Sequence, residues 1–308
     1  YRFLRELVSF MVENKLGTRV LTPVLSRTNA NDFDLQHYLD HIGYTGDLLP
    51  TMETLKQIIT LHNRAFLYRN KMIFNEGKLL VTERTVPSLA AQTIFTTMVN
   101  HRGGYCYQHQ GLLHAALSAL EFKLTYHLAQ MILQPTNKII NYDNIPTTHG
   151  FLMVKLNDKR YIVDTGVGHA SLREPLEYKI GEVCLGTDEY RLRAVANTGF
   201  HALDTRMKGK SDWFCLYKFH SVAFVAATIH HYQNELFTTP DFRRVRDEIN
   251  YCGSVDGGKR RYVCWFEGKE DTPRGGVYYC EKNGTEKKKV FKTFEETEAF
   301  SQKKFGVK

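Results

Sequence analysis

Arg102-Gly103-Gly104-Tyr105-Cys106, running straight into Tyr107-Gln108-His109-Gln110-Gly111-Leu112-Leu113, is the stretch that decides the fold. A glycine pair just ahead of apolar residues at helical spacing lets the backbone turn sharply through positive φ. That turn delivers Cys106 to the first turn of a helix. There, N–H groups without intrahelical partners and the positive end of the dipole favour an anion. The thiolate is the form of cysteine that attacks carbonyls. The structural alternative is a small thiol packed under a helix, and the presence of a base decides between the two.

The segment from His149 to Asp164 supplies that base. Two β-rich runs, Phe151 to Leu156 and Arg160 to Val163, flank Asn157-Asp158, a pair suited to a tight turn. If Asn157-Asp158 forms a two-residue loop, Leu156 faces Lys159 and Asp164 becomes the diagonal neighbour of His149 on one face. A three-residue loop would separate the two side chains. With the even loop, Asp164 is expected to accept the Nδ1 proton of His149, and His149 to take the proton of Cys106. A histidine before a strand says little by itself in a chain with 13 of them. Its pairing with Cys106 gives it weight.

Arg102-Gly-Gly-Tyr-Cys106, the histidine at a strand start and Tyr161-Ile-Val-Asp-Thr-Gly-Val-Gly168 together resemble the arylamine N-acetyltransferases. Their pattern is RGGxC, a histidine opening an alternating apolar strand, and YLVDVGFG. The likeness extends from about Asn31 to the C-terminus. Phe33 to Tyr44 looks like the family's first helix, Leu55 to Asn70 like its second with a PFEN-like end, and Phe305-Gly306-Val307 like its last strand. Three positions depart from the pattern. Arg69 stands where the family has the glutamate expected to pair with Arg102. Val167 replaces a frequent phenylalanine, widening the acceptor pocket, and Gln110 replaces a frequent asparagine. None of the three is expected to touch Cys106, His149 or Asp164.

The resemblance implies a catalytic triad of Cys106, His149 and Asp164. It implies acetyl-CoA as co-substrate with no permanently bound cofactor, and arylamines and arylhydrazines as acceptors in ping-pong order. It carries acceptor contacts onto Tyr107 and Val167, and CoA contacts onto Ile145, Pro146 and Tyr232, the last ahead of a loop containing Pro240. The backbone N–H groups of Cys106 and Tyr107 are the expected oxyanion donors. Two other readings stay open: a cysteine hydrolase with the same triad and water as second nucleophile, and an inactive relative that binds small aromatics.

Composition narrows the class. At 308 residues, 43% hydrophobic and 24% charged, the chain can bury a large core, and its composition argues against disorder. No apolar run approaches the roughly 18 residues of a membrane helix, and no signal peptide is visible. Tyr1 in place of methionine leaves the natural start open. The six cysteines show no CxxC spacing, which argues against zinc and fits a reducing cytoplasm. The net charge of +8 comes without a nucleic-acid module. Arg243-Arg244, Lys259-Arg260-Arg261 and Lys287-Lys288-Lys289 read as solvated faces.

The expected class is α+β with a cysteine-protease-like core in a monomer. Residues 1–30 form an amphipathic N-terminal extension. A helical domain over 31–122 carries the nucleophile, a β-barrel-like domain over 123–225 carries histidine and aspartate, and an α/β lid covers 226–308. Within the lid, helices are expected near Phe242 to Ile249 and over Thr293 to Phe300, with strands at Tyr262 to Phe266 and Gly276 to Cys280.

Overall fold

A computed structural model describes residues 33–70, 86–137, 145–185, 188–196, 198–207, 211–239, 249–256, 259–268, 274–282 and 285–307. The N-terminal amphipathic stretch, Arg243-Arg244 and Pro240 lie outside them, as does the helix expected near Phe242, whose last residue, Ile249, opens a strand.

Helices come first. Asp34 caps α1 (Leu35–Ile42) by accepting from His37 N–H at 2.9 Å. Thr51 caps α2 (Met52–Ala65) through Thr54 N–H at 3.2 Å. Both are standard side-chain answers to the free N–H groups of a first turn. After the short β1 (Leu67–Arg69) come α3 (Ala91–His101), β2 (Gly103–Gly104) and α4 (Cys106–Ala119). Helix α4 is buried on nearly every side, and its apolar residues do not keep to one face as they would on a surface helix. It forms the axis of a core to which Tyr38, Ile58, Phe95, Leu113 and Leu117 contribute.

An eight-stranded antiparallel sheet follows. Its strands are β3 (Lys123–Pro135), β4 (His149–Leu156), β5 (Lys159–Val163), β6 (Leu176–Glu177), β7 (Gly181–Leu185), β8 (Asp188–Ala194), β9 (His201–Met207) and β10 (Phe214–Phe219). The order β6-β5-β4-β3-β10-β9-β8-β7 leaves β6 and β7 as unjoined ends, so the sheet is a curled half-barrel. A bulge in β10 between Cys215 and Tyr217 interrupts its register with both neighbours. Bulges of this kind sharpen local twist.

Helix α5 (Ala226–Thr238) buries Ile229, Leu236 and Phe237 in the core around α4. Then β11 (Ile249–Asp256), β12 (Lys259–Phe266), β13 (Gly275–Lys282) and β14 (Thr285–Phe291) form a meander that β1 and β2 complete, in the order β14-β13-β12-β11-β1-β2. Helix α6 (Phe294–Phe305) packs on that sheet. The closing strand expected at Phe305 to Val307 is absent. Phe305 ends α6, Gly306 caps it in the left-handed conformation, and Phe305 and Val307 both bury in the sheet's core. Two apolar residues around a glycine mimic a strand alternation when they are the end and exit of a helix. No helix among the described residues is long and apolar enough to cross a membrane.

Candidate active site

Backbone geometry places Cys106. Strand β2 pairs in parallel with β1, Leu67 opposite Gly103 and Tyr68 opposite Gly104. Gly103 has φ +149°, and a Cβ there would lie 1.9 Å from Leu67 O, so only glycine fits. Tyr105 is extended, and Gln108 and His109 N–H donate to its carbonyl, each at 3.0 Å. The N–H groups of Cys106 and Tyr107 are left as the first-turn donors without an intrahelical partner.

The hairpin has the even register. Leu156 pairs with Lys159, and Asn157 and Asp158 both take positive φ, at 49° and 61°, as a type I′ turn requires. Asp164 therefore reaches His149 on one face, 2.8 Å from Oδ2 to Nε2, with both side chains buried. The expected ring nitrogen is corrected here. Asp164 holds Nε2, at the far tip of the ring, because it lies diagonally across the sheet. Nδ1, nearer the backbone, is left for the sulfur arriving from α4. Cys106 is within hydrogen-bonding reach of His149 and directs its thiol at Thr148 O, 3.5 Å away. Burial by itself would lower the His149 pKa, but Asp164 and, more weakly, Cys106 overcome it and raise the group from 6.5 to about 10.

Gln110 is a further correction. It lies one turn beyond Cys106, and its Nε2 donates to Asp164 Oδ1 at 2.8 Å, so this departure does touch the constellation. Gly166 N–H donates to the same oxygen at 2.9 Å. The i, i+4 spacing from Cys106 was the available signal. Arg69 does not meet Arg102. Its guanidinium is buried and donates to His101 O, with Glu298 of α6 close enough to favour its charge. Arg102 instead reaches Gly306 O at 3.5 Å.

Cys106 and His149 open into a cavity of about 800 Å³ whose wall includes Thr148, Val167, Trp213 and Tyr251. Its size suits a small ligand. Of the other expected contacts, the structure brings Val167 alone into this cavity. The Tyr107 side chain is buried in the helical core away from it, because its ring turns inward to pack on Tyr105. Ile145 packs beside the cluster of Ile132 and Val195, and Pro146 is exposed. Tyr232 is half-buried and bonds Thr147, which sets it beside the loop leading to His149. Arg260 overturns the reading of its basic cluster as a solvated face: it is 2% exposed and pairs with Asp188 through Nη2 and Oδ2 at 2.6 Å. The cavity residues missed in the sequence are chiefly Tyr68, His169, Tyr251 and Tyr262. His169 follows Val167 by two positions, but the tyrosines come from strands distant in sequence and carried no local signal.

A family model described as N-acetyltransferase matches residues 51–308. The arylamine N-acetyltransferase of Mycolicibacterium smegmatis is 33% identical over 193 residues, which cover 60% of this chain and 64% of that protein. The chain thus matches less than two thirds of this relative's length. The solved structure of the M. smegmatis arylamine N-acetyltransferase superposes with a TM-score of 0.72 at 24% identity, covering 90% of this chain and 93% of that one. That of Mycobacterium marinum, in complex with CoA, gives 0.71 at 22%, covering 89% and 93%. At these identities the two structures speak for the fold.

Proposed function

Starting from a chain that belongs to the arylamine N-acetyltransferase family, we propose that it moves an acetyl group from acetyl-CoA to arylamines and arylhydrazines through an acetyl-Cys106 intermediate. The observation that carries this reading is the joining of Cys106, His149 and Asp164 at the edge of one cavity. In the first step Sγ of Cys106, whose proton His149 already holds, attacks the thioester carbonyl. The tetrahedral oxyanion rests on the free N–H groups of Cys106 and Tyr107. Its collapse breaks the carbon–sulfur bond to CoA, and His149 returns the proton to the departing thiolate. In the second step the amine nitrogen attacks acetyl-Cys106. His149 takes its proton, and the Cys106 thiolate leaves with the amide formed. Because the donor departs before the acceptor reacts, the kinetics are ping-pong.

We assign the coenzyme to Ile145, Pro146 and Tyr232, on and beside the loop leading to His149, and the acceptor to the Val167 side of the cavity. The division of labour follows cysteine-protease logic, with the nucleophile on a helix and the base and its carboxylate on a sheet. We place the reaction in the cytoplasm, whose thiol pool keeps the nucleophile reduced. Incubation with acetyl-labelled acetyl-CoA is the test. The expected result is one label on Cys106, absent from Cys106→Ala, discharged quickly by an arylamine and slowly by water. Rapid discharge by water alone assigns a hydrolase, and a protein that takes up no label and discharges no CoA is a binding relative.

A further inference from the structure

Three buried side chains form one hydrogen-bonded chain that the acetyl-transfer steps do not use. The Tyr38 hydroxyl, on α1, lies 3.0 Å from Nδ1 of His62 on α2. His62 Nε2 lies 3.1 Å from Nδ1 of His109 on α4, and His109 Nε2 lies 3.0 Å from Leu67 O on β1. The last link fixes every hydrogen. A backbone carbonyl only accepts, so the His109 proton sits on Nε2 and Nδ1 is bare. His62 must then donate to it from Nε2, which leaves His62 Nδ1 to accept from Tyr38. The reverse order would set a bare nitrogen against Leu67 O. It would also leave the buried Tyr38 hydrogen without an acceptor among the described residues. Burial lowers the pKa of both histidines, that of His109 to about 4, so both rings are neutral at physiological pH. None of the three side chains lines the cavity, but His109 stacks on Tyr68, which does, with ring planes 14° apart.

We infer that this chain is a positioning relay for Cys106: Tyr38 and His62 hold the His109 ring in one orientation, and His109 fixes the first turn of α4 against β1. The relay rests on the acetyl-transfer reading, which makes Cys106 the nucleophile. Leu67 O is the atom that a side chain on Gly103 would strike, and Leu67 N–H donates to Arg102 O at 3.0 Å. Gly103 stands three residues before Cys106 and His109 three residues after it. One carbonyl therefore holds the backbone on both sides of the nucleophile. It does so through a ring pinned at both edges, by His62 at Nδ1 and by Leu67 O at Nε2. Three residues are close to one helical turn, so His109 and Cys106 share a face of α4. A shift of His109 carries Cys106 with it, away from an imidazole that stands on a separate sheet.

The test reads Cys106 in the full chain with and without an acyl donor. Alkylation of Cys106 by iodoacetamide near neutral pH, followed by mass spectrometry, reports the thiolate that His149 sustains. Acetylation from labelled acetyl-CoA is followed in parallel. His109→Leu removes the donor to Leu67 O and is expected to slow both reactions about tenfold, the scale of one buried hydrogen bond left unmade. His109→Gln, which can place an N–H where Nε2 stands, should hold both rates within about twofold of wild type on the same scale. Equal slowing in the two variants assigns the effect to packing and overturns the relay. Wild-type rates in a folded His109→Leu also overturn it, and with Cys106 labelled they leave the transferase reading standing. Slower alkylation in His109→Leu alone, in a protein whose wild type takes no acetyl label, supports the relay and overturns the transferase reading. If His109→Leu does not fold, nitrogen NMR of the wild type with isotope-labelled histidine decides. The relay requires His62 and His109 both to carry their proton on Nε2 with Nδ1 bare, and a proton on Nδ1 of either ring overturns it.

Discussion

At Asp164 one carboxylate receives three donors, from His149 Nε2, Gln110 Nε2 and Gly166 N–H. Because the site is buried, this carboxylate decides whether the imidazole beside Cys106 carries a proton. The consequence for stability has a definite sign. The folded His149 pKa, about 10, lies above the ordinary 6.5. Its contribution is therefore complete below about pH 6.5 and is lost as pH rises through about 10. Urea unfolding midpoints are expected to fall across that window in the wild type and much less in Asp164→Asn, where burial keeps the imidazole neutral. Matching slopes in the two proteins would refute the linkage. Asp164→Asn should also cut acetyl transfer by about 10³–10⁴-fold, the scale seen when a catalytic imidazole loses its carboxylate.

Among the elements, the parallel pairing of β1 and β2 is the hinge on which Cys106 is set, and Gly103 makes it possible. Gly103→Ala would force a Cβ into Leu67 O, a backbone atom that cannot step aside. A loss of at least about 2 kcal/mol is expected, together with acetyl-labelling slower than in the wild type, read from denaturant midpoints and label uptake. Unchanged values for both would show that α4 is positioned by its core packing alone. The glycine pair was readable in the sequence because close backbone approach has a local signature, and so was the Asn157-Asp158 turn. Helix α5 was not. No side chain caps its start, and its buried positions, Ile229, Gln233, Leu236 and Phe237, are spread through a run rich in histidine and threonine. Strand β14 was hidden differently: its lysines suit an exposed edge, and in a one-dimensional reading they look like any solvated run. The choice of His149 nitrogen was beyond sequence altogether, since it depends on which side of the ring a separate helix approaches.

For the whole molecule, Arg260 is the clearest long-range fastening. From β12 it reaches Asp188 on β8, Tyr190 on the same strand, and the carbonyls of His169 and Ser171 in the turn that lines the cavity. One guanidinium thus joins the meander sheet, the half-barrel and the wall of the candidate site. Nothing in Lys259-Arg260-Arg261 separates its middle member from its neighbours. Only alternation along β12 turns Arg260 inward, and only the second sheet supplies the carboxylate. Arg260→Met would leave Asp188 buried with Arg173, 3.1 Å away, as its remaining cation. It is expected to destabilise the fold by about 3–5 kcal/mol, the usual result of removing one member of a buried pair. Adding Asp188→Asn should recover part of that loss, because it removes the charge left behind, and a double-mutant cycle on unfolding free energies measures the recovery. If the double variant is no more stable than Arg260→Met, the ion pair is not what joins the sheets, and the carbonyl contacts to His169 and Ser171 carry the attachment instead.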